Sequence, residues 1–413
     1  MLKETERGEF VMVDIAVLGF GVVGSGAVEV IDKNSERIAR NANQSIRVKY
    51  ILDVRDFTGS PYESLFAKDF DTIVNDPDVA IVVETIGGVD AALEFTRRSL
   101  EARKSVVTSN KELVAMHGYE LLKLAGEKGV NYLFEASVGG GIPVIRPIAQ
   151  CMAANQIGEI YGILNGTTNY ILTEMVKNGA EFSDALQGAQ KKGYAEADPS
   201  ADIEGHDACR KICILSSLAF GRHIYPNQVP TEGIRNVTMD DMRFAAKLGY
   251  KIKLLGRARA VGDKVAAYVA PHLISSDNLF SGIDGVMNGV VIRGNAVGDV
   301  MFHGAGAGKL PTASAVVADV VDAAKHFYAR KLLGWADGGP DAVADPMLLE
   351  SAWYIRTDAA RDKIEREFGE VVYAGETDSV TAFKTASMNG NKVRDIMERG
   401  VPALSLFRIL GDH

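Results

Sequence analysis

The sequence predicts an α/β protein that opens with a doubly wound parallel sheet, and three observations carry that prediction. From Val11 to about Phe134, short β-branched runs alternate with stretches of helical periodicity. A glycine triplet stands where the first strand would turn into the first helix. At the far end, beyond residue 346, strand-like and helix-like segments follow one another in the order βαββαβ.

The first region supplies five strand candidates: VDIAVLG (13–19), IRVKYIL (46–52), VAIVVET (79–85), KSVVTS (104–109) and VNYLFE (130–135). Unbroken apolar strands belong to parallel sheets covered on both faces, and intervening helices supply that cover. The helical stretches are GVVGSGAVEVI, Gly88–Arg103 and Glu112–Lys128.

Gly19, Phe20, Gly21, Val22, Val23 and Gly24 form a GxGxxG at the first strand–helix turn, which makes the sheet Rossmann-type. Such glycines permit the tight turn, the approach of backbone to a pyrophosphate and close helix–strand packing. The phosphates then meet unpaired N–H groups at the positive end of the helix dipole. Gly19, Phe20, Gly21, Val23 and Gly24 are therefore cofactor-binding candidates. The second strand ends in Asp53, Val54 and Arg55. A carboxylate there holds a ribose 2′-hydroxyl and selects NAD, whereas an arginine holds the 2′-phosphate of NADP. Both are present, so NADP through Arg55 is the reading favoured, with dual use open.

From about 139 to 334 the pattern becomes α+β. Helical periodicity marks Gly141–Met152, Asn169–Lys177, Ala185–Lys192, Ile203–Phe220 and Asp240–Gly249, and KIKLLGRARA and KVAAYVAPHLI alternate like strands of an open antiparallel sheet. The segment Trp335–Pro346, rich in Gly, Pro and Asp, reads as a linker. The tail then contains AWYIR, Ala359–Phe368, VVYAGE, SVTAFKTA, Asn391–Arg399 and ALSLFRIL, the ferredoxin-like order. The expected domains are 1–138 for the dinucleotide, 139–334 for substrate and dimerisation, and 347–413 as a small third domain.

A chain of 413 residues exceeds one ordinary core, in keeping with that division. With 47% hydrophobic and 24% charged residues it has the composition of a soluble globular protein. A net charge of −9 and no basic run argue against nucleic acid as a partner. The 3 cysteines, Cys151, Cys209 and Cys213, are too few for a disulfide framework and point to a reducing compartment. No HExxH or repeated CxxC suggests zinc. The charged start MLKETERGEF lacks a signal core, and no apolar run reaches the roughly 18 residues of a membrane span. The cytoplasm is the expected location.

The chemistry concentrates in 193–211, GYAEADPSADIEGHDACRK. Asp207 and Lys211 lie four apart on a helix and share a face, with Glu196 in the turn-rich stretch before them. Two carboxylates and an ammonium suit a zwitterionic amino-acid substrate. A lysine so placed can give a proton, or a strong hydrogen bond, to a reacting oxygen. By itself an i,i+4 pair is more often a solvated ion pair worth a few tenths of a kcal/mol. His206, the one histidine of the 7 inside this stretch, points to another helix face and reads as structural.

Further motifs change that balance: Asn165-Gly166-Thr167-Thr168-Asn169-Tyr170-Ile171-Leu172, GAGAGKLPTASAV (304–316), Thr108-Ser109-Asn110-Lys111 and EASVGGGIP (135–143). With 193–211 they resemble the signature set of homoserine dehydrogenases, in order over residues 13 to 320. The resemblance implies an NAD(P)-dependent oxidoreductase that interconverts L-aspartate 4-semialdehyde and L-homoserine in threonine and methionine biosynthesis. It implies Lys211 as proton donor, with Lys111 beside nicotinamide and substrate, and leaves open which lysine transfers the proton. Glu196 and Asp207 would bind homoserine, with Thr167, Tyr194 and Asp202 around it. Ser109, Lys111, Gly193 and Gly306 would line the cofactor. Glu135 with the carbonyls of Val138, Gly140 and Ile142 resembles the family's monovalent-cation loop, for which sodium is the precedent. The tail resembles the amino-acid-sensing ACT fold. Its first strand leads directly into TDAARDKIE, without the usual Asp-x-Pro-Gly turn, so threonine is expected to have little effect. A homodimer or higher homo-oligomer is expected. Two other readings stay open: a dehydrogenase of another small aldehyde or hydroxy acid, and a non-catalytic cofactor-sensing protein.

Overall fold

The computed structural model describes residues 11–327, 329 and 333–411, which form two compact units. The first comprises the chain up to Ala154, Ser217–Tyr225 and Gly304–Gly338. Its sheet contains β1 (Met12–Leu18), β2 (Ser45–Leu52), β3 (Val79–Glu84), β4 (Ser105–Thr108) and β5 (Tyr132–Leu133). All pairings are parallel, in the order β2-β1-β3-β4-β5. Each strand falls within one of the runs expected from β-branched residues or overlaps it closely. The strand order reverses at β1, so a crevice opens beyond the carboxyl ends of β1 and β3, where such sheets bind ligands. The chain returns to this unit through helix Lys309–Lys325, whose Ala313, Val316 and Val320 bury into the same core as Val13, Ile15 and Ile81.

The expected helix Gly141–Met152 starts late: the stretch turns tightly at Gly139–Gly141, and winding begins at Ile145 and Arg146 and continues as a π-helical turn over Pro147–Cys151. The linker reading covers Trp335, which is buried. Its indole donates to His223 Nδ1 at 2.7 Å and packs on Phe134. The division between the two units falls just after it, at Gly338.

The second unit comprises Asn155–Ser216, Pro226–His303 and Gly339–His413. It adds β6 (Ile157–Ile163), β7 (Tyr250–Val261), β8 (Lys264–Ser275), β9 (Met287–Gly294) and β10 (Gly298–Ala305). β7 and β8 form a hairpin in register from Tyr250–Ser275 to Val261–Lys264, closed at Gly262, whose φ of 60° suits the turn. β6 pairs antiparallel with both β7 and β9, giving the expected antiparallel sheet.

The tail contributes β11 (Glu350–Ser351), β12 (Trp353–Thr357), β13 (Val371–Glu376), β14 (Thr381–Thr385), β15 (Met388–Asn389) and β16 (Ser405–Leu410). Its four main strands lie in the order β16-β12-β14-β13, all antiparallel, with helices Arg361–Phe368 and Gly390–Glu398 as the crossovers. β11 and β15 form a separate two-stranded ribbon. β16 then pairs parallel with β8 over Arg408–Leu410 and His272–Ile274, joining both sets into one nine-stranded sheet.

Asp241 ties the tail to helix Met239–Lys247 within this unit. Wholly buried, it caps that helix through Thr238 and accepts from Tyr354, Arg356 and Ser405. Removing one partner of a buried ion pair costs about 3–5 kcal/mol, because the other charge is left uncompensated. Asp241→Ala is expected to lower stability by about that amount, read from the shift of the unfolding midpoint. A shift equivalent to less than about 1 kcal/mol would show that Asp241 does not hold the tail.

Candidate active site

The glycine triplet lies at the crevice. Gly19 has φ of 89°, and a Cβ on it would sit 2.7 Å from the Thr85 carbonyl oxygen. A Cβ on Gly24 would lie 1.9 Å from the Gly19 carbonyl oxygen, so only glycine lets helix Val22–Lys33 start there. Phe20 contributes backbone, since its ring packs among Phe57, Tyr62 and Phe66. A cavity of ≈ 750 Å³ opens over this turn, walled by Gly19, Gly21, Arg55, Phe70, Thr85 and Ile86.

The structure separates the two candidates at the end of β2. The Asp53 carboxylate accepts the Phe20 N–H at 2.6 Å and the Arg55 N–H at 3.0 Å, and pairs with the Arg55 guanidinium at 2.9 and 2.8 Å. That pairing holds its carboxyl well below the usual carboxylate range. Asp53 thus braces the glycine turn. Arg55 stays more than half exposed at the cavity wall, beside Gly21.

A second polar centre forms in the other unit. Lys211 lies on helix His206–Phe220, nearly buried, with its ammonium 2.8 Å from Asp207 Oδ2 and 2.7 Å from the Leu164 carbonyl oxygen. The i,i+4 pair inferred from spacing is therefore a buried one, not a solvated surface pair. Asn165 organises what surrounds it. Its side-chain oxygen caps helix Gly166–Asn178 through Thr168 N–H, while its amide donates to Asp202 at 2.7 Å and to Asp207 at 2.9 Å. Burial and the neighbouring Asp207 push the Asp202 pKa up. Thr167 donates to the Tyr194 carbonyl oxygen at 2.6 Å, fixing the turn that carries Gly193 (φ 73°), Tyr194 and Glu196. The Tyr194 ring rests edge-on against Tyr170. Glu196 is exposed on that turn, where Gln190 donates to its backbone carbonyl.

Comparison with known proteins identifies the family. A family model described as "Homoserine dehydrogenase, NAD binding domain" matches residues 19–135, and one described as "Homoserine dehydrogenase" matches 143–321. A homoserine dehydrogenase of Pseudomonas aeruginosa is 44% identical over 359 residues, covering 84% of this chain and 82% of the relative. The chain belongs to the homoserine dehydrogenase family. It is similar to the crystal structure of a homoserine dehydrogenase from Thiobacillus denitrificans (TM-score 0.87, 38% identity, covering 97% of this chain and 99% of that one). A hyperthermophilic archaeal homoserine dehydrogenase solved in complex with NADPH matches with TM-score 0.64 at 30% identity, over 76% of this chain and 98% of that one. An NAD(P)-dependent oxidoreductase is accordingly the activity of this fold.

Other residues expected in a homoserine dehydrogenase site are placed as follows. Lys111 begins helix Lys111–Lys128 just past β4, half-buried, with Asn110 as its cap and Ser109 donating its N–H to the Glu84 carbonyl oxygen. Gly306 backs onto the glycine loop, since a Cβ on Gly140 would meet its carbonyl oxygen at 2.4 Å. The Glu135 carboxylate accepts the N–H groups of Val144, Ile145 and Arg146 at 2.6–2.9 Å. It serves as a backbone brace, so a cation in this loop would depend on main-chain oxygens. Among the described residues no group of three or more His, Cys, Asp and Glu is placed to hold a metal, and no helix is long and apolar enough to cross a membrane.

Spacing identified the Asp207–Lys211 pair but not Asn165, whose two contacts with acids span 37 and 42 residues. Asn165→Leu removes the donor shared by the buried Asp207 and the half-buried Asp202 carboxylates, at an expected cost of about 1–3 kcal/mol each for lost bonds. The expected outcome is a lower unfolding midpoint together with a kcat reduced at least tenfold (about 1.4 kcal/mol). Unchanged kcat in the folded variant would show that Asn165 does not set the Asp207–Lys211 geometry.

Proposed function

We propose that this dehydrogenase interconverts L-aspartate 4-semialdehyde and L-homoserine in threonine and methionine biosynthesis, with Lys211 handling the proton on the reacting oxygen. The observation that supports this most is the buried Lys211 ammonium, held by Asp207 and the Leu164 carbonyl and braced by Asn165. A bound nicotinamide cofactor supplies the hydride. As the aldehyde oxygen gains charge, the Lys211 ammonium donates a hydrogen bond and then a proton, and it takes the proton back when homoserine is oxidised. Glu196 and Asp207 hold the substrate ammonium, with Thr167, Tyr194 and Asp202 shaping the turn around it. Lys111, just past the end of β4, is proposed to act beside nicotinamide and substrate.

NADP is the proposed preference: Asp53 is filled by Phe20 N–H and by Arg55, whose guanidinium, although paired with Asp53, is more than half exposed at the cavity wall, where a phosphate could also reach it. Gly19, Phe20, Gly21, Val23, Gly24, Ser109, Gly193 and Gly306 are its backbone contacts. We further propose a sodium ion on the carbonyls of Glu135, Val138, Gly140 and Ile142, ordering the loop without taking part in chemistry. The segments 1–138, 139–334 and 347–413 are proposed as cofactor, substrate and ACT-like parts of a cytoplasmic homodimer. The 358–360 connection of the tail lacks the Asp-x-Pro-Gly turn, in favour of little response to threonine.

The deciding assay follows homoserine oxidation by nicotinamide absorbance. Turnover with homoserine, unaffected by low threonine, is expected, and Lys211→Ala should lower kcat by about 10²–10⁴. Bound nucleotide without turnover on homoserine or any aldehyde would favour a cofactor sensor instead. Arg55→Ala is expected to raise KM for NADP by roughly 10- to 100-fold, the loss of charge-assisted hydrogen bonds to a phosphate. KM for NAD should change little. Equal effects on both cofactors would remove Arg55 from that role.

A further inference from the structure

Glu84 ends β3 and is wholly buried, yet neither the glycine turn nor the Lys211 centre uses it. Its neighbours Ile81, Val82 and Val83 show what a parallel strand requires here, which is apolar bulk. A carboxylate in that position is poorly suited to stability, since a hydrophobic residue of similar volume commonly serves as well or better. Its contacts show a different use. One oxygen accepts the Ile86 N–H at 2.6 Å and the other accepts the Thr108 hydroxyl. Thr108 Oγ1 in turn accepts the Asn110 N–H at 2.9 Å. The Asn110 amide donates to the carbonyl oxygens of Ile86 and Gly88, while its side-chain oxygen caps helix Lys111–Lys128 through Leu113 N–H. The bonds close a ring from Glu84 through Thr108 and Asn110 to Ile86 and back.

We propose that Glu84 is a positioning residue for the dehydrogenase reaction: through Thr108 and Asn110 it fixes Lys111 and the Thr85–Gly87 wall of the cofactor cavity. The inference rests on the role proposed above for Lys111. Donor counting determines the charge state that works. Both Glu84 oxygens accept, and Thr108 gives its one hydroxyl proton to Glu84 while accepting from Asn110, so the ring is complete with Glu84 ionised. Burial pushes the Glu84 pKa up to about 7. Lowering the pH through that value protonates the carboxylate and disturbs the ring, so activity is lost toward acid. Facing Glu84 are Thr108 on β4, Asn110 at the helix cap and the titratable Tyr132 on β5. Tyr132 is driven well above its ordinary pKa by burial, so it stays neutral across this range.

The test is steady-state homoserine oxidation against pH for wild type, Glu84→Gln, Thr108→Val, Thr108→Ser, the Glu84→Gln/Thr108→Val double variant and Lys111→Ala. Expected are losses in kcat of about 10- to 100-fold in Glu84→Gln and in Thr108→Val. KM for homoserine should move far less, and Thr108→Ser should recover most of the loss. The double variant should be no worse than either single one, as for residues acting as a unit. The wild-type acid limb of kcat near pH 7 should be gone in Glu84→Gln. Wild-type kcat and pH profile in Glu84→Gln, or losses that multiply in the double variant, would overturn the proposal. If Glu84→Gln does not fold, the contrast between Thr108→Val and Thr108→Ser decides. Full activity in Lys111→Ala would refute the role of Lys111 itself. An inactive Lys111→Ala with unimpaired Glu84 and Thr108 variants would refute the Glu84 inference alone.

Discussion

A lysine ammonium with little solvent around it must be surrounded by acceptors, and that requirement organises part of the second unit. Lys211 meets it with Asp207, one helical turn away, and with the Leu164 carbonyl oxygen at the end of the segment following β6. Two acids, Asp202 and Asp207, then come close to each other, which raises the cost of charging both. Asn165 relieves that cost by donating to both while capping the next helix. The helix start, the turn at 193–196 and the helix bearing Lys211 are therefore fixed by one set of bonds. Pre-set donors of this kind need no rearrangement when charge develops on a substrate oxygen.

The cofactor-binding unit follows the same logic with carboxylates as braces. Asp53 restrains the glycine turn through Phe20 N–H, Glu135 restrains the start of the 144–146 segment, and Glu84 restrains the ends of β3 and β4. Each accepts backbone N–H groups, the donors that any ligand-approaching loop leaves unsatisfied. An acidic residue near a binding loop is thus a scaffold as readily as a ligand. The distinction matters at β2, where Asp53 braces the glycine turn and Arg55, its exposed partner, is the proposed phosphate ligand.

Much of this was legible in the sequence because it is local. β-branched runs located β1 to β5 to within a few residues, alternation located the β7–β8 hairpin, and the βαββαβ order of the tail reappears in the strand order β16-β12-β14-β13. The i,i+4 spacing of Asp207 and Lys211 located the ion pair. What escaped depends on distant partners. β6, β9 and β10 carry weak local patterns and owe their stability to their places in the nine-stranded sheet. Helix Lys309–Lys325 follows a strand of the second unit in the chain, yet buries its alanines and valines in the core of the first. The parallel pairing of β16 with β8 links residues more than a hundred positions apart, and no periodicity encodes it. Glu84 looked like the end of a strand, and only its bonds to Thr108 and Ile86 reveal its use.

The Lys211 ammonium, held by Asp207, which Asn165 braces in turn, is proposed to reach the reacting oxygen. A crystal structure of the ternary complex with NADP and homoserine tests it most directly. The homoserine hydroxyl is expected within about 3 Å of Lys211 Nζ, with Asn165 still bridging Asp202 and Asp207. A hydroxyl turned away from Lys211, and bound by other side chains, would contradict it.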